Sequence, residues 1–224
     1  MECGITLYKV KLDTDLHIRI YPSFDAALER VWCRLQNACD CYPFQSYEWL
    51  AHWQRTVGQH SYGIEPAVGV VSNSRHPLAL FPLGVRKVFG VRVLEFLGGI
   101  QSDYNAPIVL QELFTIGKFG DCWNRILEML PPHDVRNFVR MPQRLGRYEN
   151  PLPAALHSFK EASSYCASLP ESWEKFRQRL SSKFQKDNAR MVRRLSEMGR
   201  LELVVANTPT QYREILEITL RQKE

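Results

Sequence analysis

ESWEKFRQRLSSKFQKDNARMVRRLSEMG, residues 171–199, is the stretch around which the chain is organised. At helical spacing Trp173, Phe176, Leu180, Phe184, Met191, Leu195 and Met198 fall on one stripe, with a gap near Asp187 and Asn188. Lys175, Arg179, Lys183, Lys186, Arg190, Arg193 and Arg194 fall on the other side, in an arc of roughly 100°. The spacing predicts one helix, or two short ones broken at Ser181-Ser182, with an apolar seam and a basic ridge. Burial of Leu180, Phe184, Leu195 and Met198 is the expectation that follows from the seam. Residues 171–200 hold nine Lys/Arg against four Asp/Glu, a net of +5, which is also the net charge of the whole chain. The remaining residues therefore sum to zero, and an anion would feel its strongest pull here.

Ser168-Leu169-Pro170-Glu171 has the S-x-x-E form of a capping box, with Pro tolerated in the first turn. Gly199 stands where a left-handed C-cap is expected. Residues 201–205, LELVV, read as a strand. A further helix opens at 207–211 and runs through Tyr212, Ile215, Leu216 and Leu220. Residue 224 carries no stop signal, so the chain is expected to continue beyond it.

At 224 residues, with 45% hydrophobic and 24% charged residues, the composition is that of a globular protein of one domain, or one and a part. No apolar run approaches the ~20 residues needed to span a membrane. The first four residues lack the basic and apolar regions of a signal peptide, which makes the cytoplasm the expected location. The six cysteines are scattered, and Cys39-Asp40-Cys41 has no second pair at zinc spacing. Reduced, structural thiols are expected rather than disulfides or a metal site.

In chain order, residues 7–12 and 16–21 alternate as strands do. A helix capped at Pro22-Ser23 follows, with Phe24, Ala27, Leu28, Val31, Trp32 and Leu35 as its seam. After a turn at 40–43, a second amphipathic helix has Trp49, Leu50 and Trp53 on its inner face and ends by Gly63. Between 66 and 109 the periodicity becomes extended. A turn at 73–75 and Gly90 each suggest a hairpin. The glycines at 98 and 99 release the chain into a polar loop carrying Asp103, Tyr104 and Asn105. Such a loop at a strand end is a common place for chemistry, and also a common plain turn. Residues 114–130 read as one helix, 135–139 as a strand, 142–159 as a surface excursion and 163–167 as a short strand. Intermixed elements with hairpins define an α/β class with a mixed, partly antiparallel sheet flanked by helices.

Three stretches together resemble one family. The first is Phe44-Gln45-Ser46 with Glu48-Trp49-Leu50 and Trp53. The second is Leu80-Phe81-Pro82-Leu83, then 94–99 (LEFLGG), then Asp103-Tyr104. The third runs from Leu180-Ser181-Ser182-Lys183 through Arg193-Arg194-Leu195 to Gly199. In order and type they are similar to the GNAT-superfamily acetyltransferases of the CelD type, linked to cellulose and exopolysaccharide biosynthesis. The third stretch also resembles the FemAB peptidoglycan aminoacyltransferases. The resemblance implies a GNAT-like acyl-CoA N-acyltransferase fold, two such halves in tandem, and acetyl-CoA as cofactor. On that pattern residues 1–167 form the first GNAT-like domain. Residues 168–224 form the basic helix, strand and opening helix that lead into a second GNAT-like domain missing from this chain. Gln185 and Asp187 sit where the family's helix is usually basic or neutral, and the acidic Asp187 is the departure.

GNAT enzymes hold the CoA pyrophosphate through Q/R-x-x-G-x-G/A at a helix N-terminus. Arg55-x-x-Gly58 and Gln143-x-x-Gly146 both fail at the last position, occupied by His60 and Tyr148. The resemblance therefore implies that the acyl donor is bound mainly outside this segment, which would be the acceptor-side half. Transfer to an amine or hydroxyl needs a base and donors for the thioester oxygen. Asp103 and Tyr104 are the catalytic candidates, with a hydrogen-bonded turn as the alternative. Trp49 is a candidate platform for a small or sugar-linked acceptor, or a core residue. Lys183, Lys186, Arg190 and Arg193 are candidates for an anionic acceptor or a cofactor phosphate, or else a solvated face supported by Glu171–Lys175 pairing at i, i+4. No nucleic acid is expected as a partner, because the basic surface is too narrow. A non-catalytic binding or scaffold module with a GNAT-like shell is the alternative to an acyltransferase.

Overall fold

The computed structural model describes residues 15–153, 156, 163 and 167–223. The expected strand at 7–12 lies outside the described residues, as does most of the one at 163–167. The chain divides into two compact units, Met1–Ser163 and Ser164–Glu224.

In the first unit, β1 (His17–Tyr21) precedes α1 (Ala26–Ala38). Asp25, not the expected Pro22-Ser23, caps α1, its carboxylate accepting from Leu28 N at 2.8 Å. Leu28, Trp32 and Leu35 recur at helical spacing and are all buried, each contributing roughly 1.5–3 kcal/mol. A 3-10 turn, Pro43–Gln45, leads into α2 (Tyr47–Trp53), capped by the Ser46 hydroxyl. The backbone then widens into a π-helical segment, Gln54–Tyr62, closed by Gly63.

The strands that follow are β2 (Glu65–Pro66), β3 (Val68–Ser72), β4 (Pro77–Phe81), β5 (Leu83–Val88), β6 (Val91–Phe96) and β7 (Ile108–Val109). The turns expected at 73–75 and at Gly90 do close the antiparallel pairs β3–β4 and β5–β6. The single expected helix at 114–130 is instead α3 (Gln111–Thr115) and α4 (Phe119–Met129). Gly117 stands at φ +65° between them, a conformation that costs a glycine little and ends a helix. Only β8 (Val135–Arg136) of the expected strand at 135–139 joins a ladder. The surface excursion contains a small hairpin, β9 (Arg144–Leu145) with β10 (Tyr148–Glu149).

One four-stranded sheet has the order β1-β3-β4-β7, all antiparallel. The other has the order β2-β5-β6-β8, antiparallel except for the parallel pair β6–β8. The mixed sheet flanked by helices matches the expected α/β class. The two sheets meet along one bent strand pair. Ala67 separates β2 from β3 and Pro82 separates β4 from β5, and Ala67 N donates to Leu83 O across the corner. Pro82 has no N–H to offer a ladder, so the strand can turn there without losing a donor. Buried apolar side chains fill both faces of the β1-β3-β4-β7 sheet. Trp32, Leu50, Val68, Val70 and Leu80 form one cluster, and Val71, Phe81, Trp123 and Ile126 belong to the other. Burial on two sides explains why VGVV and PLALF are continuous apolar runs rather than alternating ones.

The second unit contains α5 (Trp173–Arg179), α6 (Ser182–Met198) and α7 (Pro209–Arg221). The break between α5 and α6 falls at Leu180-Ser181, next to the expected Ser181-Ser182. The Gln185 amide donates to Arg177 O and Leu180 O, satisfying carbonyls that the end of α5 leaves open. Several expectations are corrected here. Ser172, rather than a Ser168–Glu171 box, caps α5. Gly199 is extended (φ 162°), not left-handed. Residues 201–205 lie in no ladder among the described residues, because a β-prone run forms a strand only where a partner strand supplies hydrogen bonds. The seam is not buried. Phe184 is 56% exposed and Met198 85%, Leu195 is exposed, and Leu180 is half-buried. The period identifies an apolar face, but among the described residues of this unit most of it is left uncovered.

Candidate functional site

The sharpest local feature lies where β6 and β7, both paired with the bent strand, are separated by the loop 97–107. Phe96 pairs with Leu83 and Ile108 with Leu80, so the loop leaves the sheet opposite the corner at Pro82. Its start depends on Gly98 at φ +108°, where an added Cβ would sit 2.1 Å from the Ser102 hydroxyl. A 3-10 turn, Gly99–Gln101, follows.

Three side chains from the α1–α2 region hold this loop. The buried Gln45 amide donates to Ala106 O and Pro107 O, both at 3.0 Å, while its oxygen accepts from Tyr42 N. The Trp49 indole donates to Ser102 Oγ at 3.0 Å and the Trp53 indole to Gln101 Oε1 at 3.1 Å. From the other side, Arg140 donates to Ile100 O at 2.7 Å and Ser102 O at 3.1 Å, and its own carbonyl accepts from Asn105 N. Arg140 has φ +56°, a left-handed conformation that a residue with a Cβ adopts at a cost of about 1–2 kcal/mol. Ser102 and Asn105 are buried by these bonds.

Asp103 and Tyr104 stand between those two anchors. The Asp103 side chain is 73% exposed, with the Arg140 guanidinium 3.7 Å away. The Tyr104 ring stacks on Tyr42, centroids 4.5 Å apart and planes 19° apart. Phe44 lies beside Tyr104 and edge-on to Trp49, at 6.4 and 5.4 Å. Trp49, expected on the inner face of its helix, is 38% exposed and points its N–H at the loop. The result is a reachable carboxylate and a phenol beside a cluster of aromatic rings. A carboxylate can accept protons from an amine or hydroxyl, and aromatic faces can pack on the C–H face of a sugar or an acyl chain.

The structure thus brings Asp103, Tyr104 and Trp49 together. Lys183, Lys186, Arg190 and Arg193 are all exposed on α6 in the second unit. Arg190 pairs with Asp187 at 3.2 Å and Lys175 with Glu171 at 2.6 Å, the latter as its i, i+4 spacing implies. Among the described residues, Lys183, Lys186 and Arg193 have no ion pair. Among the same residues no three His, Cys, Asp or Glu side chains gather as a metal site would require. Cys33, Cys39, Cys41 and Cys122 are free thiols, each pushed above its ordinary pKa chiefly by burial.

Sequence reasoning missed Gln45 as an anchor, along with Ser102, Asn105 and Arg140. Gln45 was already present in the F-Q-S motif. Arg140 carried no signal, since it follows a short strand and meets the loop only in three dimensions. No protein-family model, curated protein or solved structure matches this chain.

Proposed function

We propose that this chain is the acceptor-side half of a GNAT-type acyltransferase, moving an acetyl or other acyl group from CoA to an amine or hydroxyl in polysaccharide or cell-envelope biosynthesis. Asp103 accepts the acceptor's proton, and Tyr104 and Trp49 line the acceptor's approach. The observation that carries this reading is the built loop. Gln45, Trp49, Trp53 and Arg140 fix both sides of Asp103-Tyr104 yet leave the carboxylate open to solvent. A plain turn needs no such bracing from four separated side chains. Acetyl-CoA is bound mainly by a second GNAT-like half, which accords with the lack of a pyrophosphate motif in residues 1–224. Lys183, Lys186, Arg190 and Arg193 attract a phosphate-bearing ligand through a basic face. The test is a radiolabelled acetyl-transfer assay on a chain extended through a second half, with amine- and hydroxyl-bearing sugar acceptors. Transfer is expected, and Asp103→Asn should reduce it at least a hundredfold, the lower range for general acid–base catalysis. Full activity in that variant removes Asp103 from the chemistry.

A second reading, a non-catalytic binding module, is favoured by the width of the aromatic cluster around Tyr104. It is distinguished by acceptor binding without transfer in the same extended chain.

A further inference from the structure

Beside the loop, the C-terminal end of α1 faces the β9–β10 hairpin across a cleft of about 210 Å³. Asp40 comes from the first wall and Arg147 from the hairpin turn. The turn stands directly against the carboxylate, since a Cβ added at Gly146 would be 3.3 Å from Asp40 Oδ2. Opposite charges thus stand on facing walls of one cleft, and among the described residues neither Asp40 nor Arg147 is in an ion pair.

The first wall is negative for a further reason. The last carbonyls of a helix carry partial negative charge, and α1 has no basic residue in its last turn to offset it. Gln36 O there receives only the weak S–H of Cys41, at 3.7 Å. Cys39 is pushed up to about 11, first by burial and then by the Cys41 thiol and Asp40, and Cys41 is raised by burial, Asp40 and Glu48. Several side chains lining the cleft are fixed by contacts of their own. Gln45 in its lining has both amide ends engaged, Tyr42 is stacked on Tyr104, and Tyr148 is stacked on Phe114 at 4.9 Å.

We propose that this cleft binds a small amino-carboxylate zwitterion, its ammonium against Asp40 and the end of α1, its carboxylate on the Arg147 guanidinium. A simple anion would be repelled by the first wall, and a simple cation would be repelled by Arg147. A guanidinium suits a carboxylate because it can donate two parallel hydrogen bonds. The volume corresponds to about seven waters at roughly 30 Å³ each, room for a ligand of amino-acid size. This binding does not depend on acyl transfer and is read with no donor present.

The experiment is a nuclear-magnetic-resonance titration of the whole chain with ω-amino acids from glycine to 6-aminohexanoate, with hexanoate and hexylamine as single-charge controls. Saturable binding on the order of a millimolar is expected, strongest at one chain length. Asp40→Asn and Arg147→Gln should each weaken it about tenfold, the loss expected for one charge-assisted contact. Both side chains are exposed, so unchanged thermal midpoints are expected. If one variant does not fold, the other decides. No saturable binding by any member of the series overturns the proposal, as does equal binding of either control or indifference to the substitutions.

Discussion

Arg140 is the least local part of the site, and replacing it tests whether the loop 97–107 is held as described. Arg140→Ala removes two hydrogen bonds from a charged donor, to Ile100 O and Ser102 O, and a 3.7 Å ion pair with Asp103. Bonds to charged groups contribute about 1.5–3 kcal/mol when sheltered, but the Ile100 contact is exposed and counts for less. The ion pair is exposed too and adds about 0–1 kcal/mol. A net loss of about 2 kcal/mol is expected, mostly from leaving the part-buried Ser102 carbonyl without its donor. Alanine keeps the left-handed strain at this position, whereas glycine removes about 1–2 kcal/mol of it and returns roughly 0.5–1 as unfolded-state entropy. Arg140→Gly should therefore be the milder variant, by about 0.5–1 kcal/mol. Urea denaturation followed by tryptophan emission reads both quantities, since Trp49 and Trp53 donate directly into the loop. Two variants indistinguishable from the parent, or a glycine variant clearly worse than alanine, would refute the reasoning.

Gly98→Ala should cost at least about 2 kcal/mol, because positive φ and a Cβ pressed on Ser102 Oγ act together, and the Trp49–Ser102 bond should be lost; an unshifted urea midpoint counts against it. Asp134 is held at about 2, below its ordinary 3.8, by hydrogen bonds from the Arg92 side chain and backbone. Its folded-state pKa is depressed, so its contribution is present above the ordinary value and is lost as pH falls from 3.8 toward 2. Asp134→Asn should accordingly flatten the acid limb of the thermal midpoint in that window, and an unchanged limb would exclude the pair as its cause. Changing Lys183, Lys186, Arg190 and Arg193 together to Glu should abolish salt-dependent binding of inorganic phosphate without moving the thermal midpoint, as all four are exposed. Unchanged phosphate affinity would leave the ridge a solvated face.

Elements whose cause is local were legible. Leu28, Trp32 and Leu35 mark a helix face by spacing alone, and Gly90 marks the β5–β6 turn. The loop was legible as a polar segment released by Gly98, with Asp103 and Tyr104 in it. What escaped depends on partners distant in sequence. Arg140 reaches Ile100 across forty residues. Residues 201–205 have the composition of a strand but no ladder among the described residues. The stripe on α6 states which face is apolar, not what lies against it. The change of sheet at Pro82 is permitted by a missing N–H, yet the same proline could equally have ended a strand.

The central proposal is that residues 1–224 carry the acceptor side of an acyltransferase while the donor is bound elsewhere. Calorimetric titration of acetyl-CoA into the purified chain addresses it most directly. The expected result is no stoichiometric binding at micromolar concentration. Stoichiometric, micromolar binding would place a donor site within these residues and contradict the two-half account.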